Sequence, residues 1–498
     1  MSSKEKKLAA AAEEAKKNKK FYTKCIIFIV CLAIVVAAAA LVNSSITTTK
    51  TTALSVGETD YSPVEFNYFY RSTINSVYEK LYQTYGDLTS YLIDSQTPLS
   101  QQPAMYGDGE QTWAEYFTEQ TRLALINVTV LADAAKAEGM TLTEEDKAAI
   151  DAQIALYEEE AKNNGYKLND FLSLNFGKGF KEKHLRAIAE LQCLATAYSA
   201  KVEASLVYTP EQLEEYYSEN SALLDMFSFH SYFVGTSNSA FENMSDEEKI
   251  AAAHEAAQLI ADAASPAQFT KNVQDFVADA SKPSYEDPDS TLSITQGMYL
   301  TEAYAAWMTD AQRAEGDTTV IDSDGGSYAI YFASRNDNHY ALVDARHILI
   351  KAEADENGEY TEEALETAKA EAERIHELWL TNPTPEYFAE LATEYSQDEA
   401  SNANGGLYEG VYQNYMVDEF NDFLFEEGSV VGDSKVVYGN NGGYAGYHVV
   451  YLDAVGNLFS DEIAKGLLLQ EDYNAEIQAM ADTYEVSEGS GMKFVNLD

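Results

Sequence analysis

Ala345-Arg346-His347-Ile348-Leu349-Ile350-Lys351 and Gly446-Tyr447-His448-Val449-Val450-Tyr451 are two apolar runs, each holding one histidine. Short runs rich in branched and aromatic residues read as strands. A strand over Leu342 to Lys351 puts His347 near the centre of a sheet, and one from about Tyr447 to Leu452 does the same for His448. Between them lie an amphipathic helix pattern, Phe388-Ala389-Glu390-Leu391-Ala392, Tyr395-Ser396-Gln397-Asp398, Asn404-Gly405-Gly406-Leu407 and Met416-Val417-Asp418-Glu419-Phe420. A lone histidine in such a strand is more often a satisfied core residue than a functional one. Two at matching ends of one ordered set can fix each other's tautomers, because imidazole donates and accepts at once. Met416 and Phe420 are four apart, the spacing of one helix face, where ordinary core packing is the usual explanation. Asp398 on its own reads equally as a turn residue capping the loop after Ser396.

The order of these pieces, over residues 340–456, resembles a parvulin-type peptidyl-prolyl cis/trans isomerase. That resemblance implies that His347 and His448 pair beneath the active site and that Asp398 faces the substrate amide. It implies that Met416 and Phe420 line a proline pocket, with Leu407 on the same wall. It implies no cofactor and no metal. Two departures stand out. Gly405-Gly406-Leu407-Tyr408-Glu409-Gly410 differs from the commoner Gly-Gly-Asp-Leu-Gly. The segment from Tyr438 to Ala445 is longer than the usual turn and replaces a small hydroxyl residue often found near the site. Phosphate-directed parvulins carry a basic cluster after the first strand; here Lys351 is followed by the acidic Ala352-Glu353-Ala354-Asp355-Glu356, which repels a phosphorylated substrate.

Upstream, residues 225–337 read as a degenerate second copy, with an unrelated α+β insert as the alternative. Ser228 to Val234 can be laid on Ala345 to Lys351, with His230 on His347. Gly316-Asp317 falls on Gly432-Asp433, and Gly326 to Tyr331 on Gly446 to Tyr451, with Tyr328 in place of His448; the offsets are 117, 116 and 120. The copy lacks a Tyr-Ser-x-Asp segment and reads as a scaffold or peptide-binding module.

Further out, residues 58–224 read as helical. Ser62-Pro63-Val64-Glu65, Thr143-Glu144-Glu145 and Thr209-Pro210-Glu211 are helix starts, and Phe171-Leu172 and Phe176-Gly177 flank a short connection. The turn Gly139-Met140-Thr141-Leu142-Thr143-Glu144-Glu145-Asp146 and the helix from Tyr208 to Tyr217 are similar to the chaperone region of extracytoplasmic foldases of the PrsA and SurA type. In that architecture the C-terminal segment, here 457–498, packs back on the helical part. Residues 43–57, rich in Ser and Thr, read as a linker.

The N-terminus sets the compartment. Residues 1–24 form a Lys-rich tail, followed by an uncharged run from Cys25 to Val42. A helix of that length, at about 1.5 Å per residue, just spans a hydrocarbon core of roughly 30 Å. The preceding lysines keep the tail cytoplasmic. This reads as an uncleaved single-pass anchor of a cell-membrane protein whose bulk is extracytoplasmic; Ala38-Ala39-Ala40 keeps a cleaved signal peptide as the alternative.

Charge and cysteine content narrow the classes. The formal net charge is −49, with 82 acidic and 33 basic residues. That surface is soluble and self-repelling and unsuited to nucleic acid. No EF-hand loop is present. Cys25 and Cys31 lie in the apolar run and Cys193 stands alone, so neither a disulfide framework nor zinc-ligand spacing arises.

The expectation is an α+β chain: a single transmembrane helix, a helical chaperone-like domain, a degenerate parvulin-like domain at 225–337, an isomerase domain at 338–456 and a C-terminal helix and tail. Its partners would be unfolded or partly folded secreted proteins with X-Pro bonds, and its activity peptidyl-prolyl isomerisation. A peptide-binding holdase and an envelope or adhesion protein with a vestigial parvulin fold are the alternatives.

Overall fold

A computed structural model describes residues 45–106, 110–356 and 358–497. The expected cytoplasmic tail and membrane anchor lie outside these residues. Among the described residues no helix is long and apolar enough to cross a membrane. The chain divides into two units. One runs through Val207 and includes the stretch from Leu469 onward; the other is Tyr208–Leu468.

In the first unit, long helices start where the sequence supplies caps. The Glu65 carboxylate accepts from the Ser62 backbone N–H at 2.8 Å and so begins the helix Pro63–Tyr85. Thr112 and Thr143 accept from the N–H groups of Glu115 and Asp146 and begin Trp113–Ala137 and Glu144–Asn163. The core gathers Phe66, Tyr70, Trp113, Phe117, Leu125 and Leu185. Three expectations need correction. The connection around Phe171-Leu172 is itself a helix, Leu168–Phe176, because Phe171 and Leu172 fall on its buried side. The stretch 43–57 is not a plain linker. It contains the helix Ser45–Lys50 and strand β1 (Leu54–Val56), whose alternation buries Leu54 and Val56. The helix Pro210–Glu219, expected to close this domain, belongs to the other unit.

Strand β1 is the centre of a three-stranded sheet. It pairs antiparallel with β2 (Thr59–Tyr61) and with the C-terminal strand Val486–Glu488, so Leu54 faces Glu488. The Tyr70 hydroxyl donates to the Leu497 carbonyl at 2.8 Å. Residues 469–497 are thus part of the helical unit. The preceding residues 457–468 belong to the second unit, where Ala464 packs with Leu213, Tyr217 and Leu224.

The second unit contains two four-stranded antiparallel sheets. Strands β3 (Met226–Gly235), β4 (Leu292–Gln296), β5 (Thr318–Ser323) and β6 (Gly326–Asn336) are ordered β4-β3-β6-β5. Strands β7 (Ala341–Lys351), β8 (Leu407–Val411), β9 (Ser434–Asn440) and β10 (Ala445–Leu458) are ordered β8-β7-β10-β9. Each sheet carries two helices on one face: Asp246–Ala261 and Pro266–Phe276 on the first, Glu362–Leu380 and Pro385–Tyr395 on the second. A short helix covers the other face: Glu302–Met308 or Asp418–Phe425.

This shared topology corrects the register of the repeat. Phe229 pairs with Phe332 as His347 pairs with Val450, an offset of 118 residues on both strands (229 to 347, 332 to 450). Phe229 therefore occupies the place of His347, and Ile330 that of His448. His230 is one residue further on and so faces the opposite side of the sheet. There it is buried against Phe269 and Tyr331, its Nδ1 2.9 Å from the Thr291 hydroxyl. In the first sheet Phe229 and Ile330 thus stand in the places of the two histidines, and Tyr304 and Tyr328 pack with them.

Candidate active site

Strand alternation on β7 decides which side chains reach the site. Ile348 and Ile350 point into the core beneath Glu362–Leu380 and Pro385–Tyr395. Ala345 and His347 face Asp418–Phe425. On β10, His448 pairs with Leu349, a diagonal neighbour of His347 on the same face. The imidazoles approach through Nδ1 and Nδ1 at 2.8 Å, both rings buried.

Asp398 is brought to them by a loop fastened to β7. The Ser396 hydroxyl accepts from the Leu349 N–H at 3.1 Å, the Gln397 N–H donates to the Leu349 carbonyl at 2.9 Å, and Gln397 Oε1 accepts from the Lys351 N–H at 2.6 Å. The carboxylate Oδ2 then lies 2.8 Å from His347 Nε2. It also accepts from the hydroxyls of Ser401 and, at 3.0 Å, Tyr408. Beyond His448, the Tyr444 hydroxyl is 2.9 Å from Nε2.

With His347 neutral, a single proton arrangement satisfies the contacts along the row. Ionised Asp398 only accepts, so His347 Nε2–H donates to it. Neutral His347 then accepts at Nδ1, from His448 Nδ1–H. His448 in turn accepts at Nε2, from the Tyr444 O–H. The result is a directed chain, Tyr444 to His448 to His347 to Asp398, ending on an anion held also by Ser401 and Tyr408. Hydrogen bonds from His347, Ser401 and Tyr408 hold the Asp398 carboxyl well below the usual carboxylate range. Burial, with His347 alongside, pushes His448 down to about 3 and keeps it neutral. Burial and the Asp398 charge push the Tyr408 phenol up to about 12, and burial raises Tyr444. The group can therefore orient and polarise; no member is poised as a free nucleophile.

The wall above the imidazoles is apolar. Phe420, 1% exposed, has its ring centroid 5.5 Å from each imidazole. Met416 packs on the same cluster but precedes the helix, which begins at Asp418; the two residues share a wall, not a helix face. Leu407 is displaced from the expected role. It leads β8, and Tyr408, the next residue, has its ring 5.3 Å from His347, which turns Leu407 to the opposite face of the strand. A cavity of about 790 Å³ lies alongside Asp418–Phe425, between Glu419, Asp422 and Phe423 and the β9 residues Lys435, Val437 and Tyr438. His347, Asp398 and His448 do not line it.

Glycines fit the site tightly. The Gly406 carbonyl accepts from the His347 N–H at 2.9 Å; at φ +73°, a Cβ there would sit 2.3 Å from the His347 carbonyl oxygen. A Cβ on Gly439 of β9 would sit 2.4 Å from His448 Nε2. Sequence reasoning missed Ser401, Tyr408 and Tyr444. The signals were hydroxyls three residues after Asp398, inside the altered Gly-Gly loop, and inside the lengthened turn before the second histidine. Among the described residues no group of His, Cys, Asp and Glu is arranged to hold a metal ion.

Residues 328–454 match the family described as the PPIC-type PPIASE domain. A comparison with curated proteins gives no match. Among solved structures, the peptidylprolyl isomerase PrsA from Bacillus anthracis is 20% identical over 30% of this chain and 59% of its own, with a TM-score of 0.19. This chain thus spans about three-fifths of that protein's length. PrsA from Bacillus subtilis and the foldase protein PrsA from Streptococcus pneumoniae are each 13% identical with a TM-score of 0.24. They align with 77% and 76% of this chain and with 91% of their own. At such scores the superpositions carry no argument. The match at 328–454 does: the chain contains a parvulin, PPIC-type peptidyl-prolyl isomerase domain.

Proposed function

We propose that this protein is a membrane-anchored, extracytoplasmic foldase. Its second sheet isomerises X-Pro bonds in secreted proteins, and its helical unit holds unfolded segments. The hydrogen-bonded row Tyr444–His448–His347–Asp398 beneath Phe420 and Met416 carries the catalytic part of this reading. Rotation about an X-Pro bond faces a barrier of about 18–20 kcal/mol because the amide has partial double-bond character. Lowering it requires an apolar grip on the ring and fixed dipoles that favour the twisted amide over either planar form. The apolar wall supplies the first and the ordered imidazoles and carboxylate the second. The lysines before the uncharged run at 25–42 support the anchor and its orientation, and the acidic stretch after β7 supports unphosphorylated clients.

The test is isomerisation of a short X-Pro peptide by the chain lacking residues 1–42, then by Asp398→Ala and His347→Ala. A fall of tenfold or more in kcat/KM for both variants, with unchanged circular dichroism, supports the reading. Catalysis that is absent, or indifferent to both changes, replaces it with a holdase.

A further inference from the structure

Arginine is scarce here and, with one exception, paired. Arg122, Arg186, Arg313, Arg335, Arg346 and Arg374 each lie within ion-pair distance of a carboxylate. Arg71 does not: its Nε is buried without a hydrogen-bond partner, and among the described residues its side chain makes no ion pair. In a chain with 82 acidic residues, anions to meet it are not wanting. A buried donor left unmet costs about 1–3 kcal/mol, more for a charged group, so its position calls for a reason.

Arg71 sits on Pro63–Tyr85 and lines a cavity of about 340 Å³ where that helix meets Glu144–Asn163 and Leu168–Phe176. The other walls are mixed: Ile74, Tyr157, Phe171 and Phe176 form the apolar side, and Asn75, Asn175 and Glu160 the polar side. Tyr157 and Phe176 meet edge to face at 6.1 Å. Asn175, also lining the cavity, spends its amide on the Phe171 carbonyl at 2.9 Å. Glu160, at the exposed rim, is the other charged group there and is not within ion-pair distance of Arg71.

We propose that this cavity binds the C-terminal residue of an extended peptide, with the free α-carboxylate on the Arg71 guanidinium and an apolar last side chain against Tyr157, Phe171 and Phe176. A guanidinium matches a carboxylate with two parallel N–H bonds. The volume lies at the small end of the roughly 300–1,000 Å³ typical of ligand sites, room for one residue. An internal Asp or Glu brings the charge but leaves Tyr157, Phe171 and Phe176 without an apolar side chain to cover them. The site does not depend on the isomerase reading.

The experiment measures binding of fluorescent peptides ending in Phe to the chain lacking residues 1–42. The peptides carry a free acid, an amide, or an amide with an internal Asp. The free acid binds at least tenfold more tightly than either amide. Arg71→Gln abolishes that difference while leaving isomerisation of a short X-Pro peptide unchanged, and Glu160→Gln tightens the acid further. Equal binding of acid and amide, equal binding of the internal-Asp peptide, or a preference that survives Arg71→Gln overturns the proposal. If Arg71→Gln does not fold, the acid–amide contrast on the unaltered chain decides, together with photocrosslinking. A benzophenone as the last residue labels Leu168–Phe176 if the proposal holds, and labels elsewhere if it fails.

Discussion

At the scale of single residues the site is a set of protonation states chosen by neighbours. His448 is neutral because burial removes water from its ring, and its pKa falls to about 3. In the unfolded chain an imidazole titrates near 6.5. Between those values the unfolded state carries the extra proton, so stability falls as pH drops from about 6.5 towards about 3. Asp398 adds to this lower down. Its carboxyl is depressed by the bonds from His347, Ser401 and Tyr408. Its contribution is whole above about 4, the unfolded value, and is lost as pH falls through the folded one. We therefore expect urea midpoints of the isolated isomerase domain to decline on acidification from pH 7. His448→Gln should flatten the slope between pH 6 and 4, and Asp398→Asn should flatten only the part below about pH 4. A wild-type midpoint constant from pH 7 to pH 4 would show that His448 is not held neutral. Sequence indicated the two histidines because histidine is rare in this chain and both stand in an ordered set, and the carboxylate by its place in that set. It did not indicate Tyr408, Tyr444 or Ser401, since hydroxyl residues are common in this chain and only the folded loops show which ones turn inward.

At the scale of elements, register decides everything that composition leaves open. The strand β3 was legible as a strand, and a histidine near its middle invited the match to His347 on β7. The ladder with β6 places Phe229 there instead, because a slip of one residue exchanges the faces of a strand. The same slip separated Leu407 from Tyr408 on β8. Patterns of period two mark faces well, but aligning two faces requires the partner strand, which no local window contains. The edge strand β9 gives the sharpest test of how one element supports another. Gly439 lies where a Cβ would press on His448 Nε2 at 2.4 Å, the atom that Tyr444 reaches at 2.9 Å. Tyr444→Phe removes one hydrogen bond, about 1 kcal/mol, and should lower kcat/KM about fivefold. Gly439→Ala should displace the same bond and lower activity at least as much. Because both act on one contact, the double variant should fall short of the product of the two losses. Additive losses in kcat/KM would mean that the tyrosine and the glycine act through different contacts.

At the scale of the whole molecule, one unit is discontinuous in sequence: the chain leaves it after Val207 and rejoins it from Leu469. The long helices of that unit were legible from their caps. The strand Leu54–Val56 was hidden in a Ser/Thr-rich stretch because it is three residues long and its partner Val486–Glu488 lies at the other end of the chain. The helical core depends on that return. Val486, Met492, Val495 and Leu497 pack against it, Tyr70 donates to Leu497, and Gly57 lies against the Tyr484 ring. Deleting residues 482–498 removes an outer strand of the three-stranded sheet together with these apolar contacts. At roughly 1.5–3 kcal/mol for each large side chain fully buried, and less for these half-buried ones, the loss is a sizeable part of the 5–15 kcal/mol that holds a domain together. We expect the truncated chain to lose protection from hydrogen exchange at Leu54–Tyr61 and through Pro63–Tyr85. Its lower calorimetric transition should shift down by several degrees. The isomerase domain, whose sheet and helices all lie within Tyr208–Leu468, should turn over a short X-Pro peptide as before. Unchanged exchange at Leu54–Tyr61 would mean that the pairing of Leu54 with Glu488 is not part of the protein's stable core.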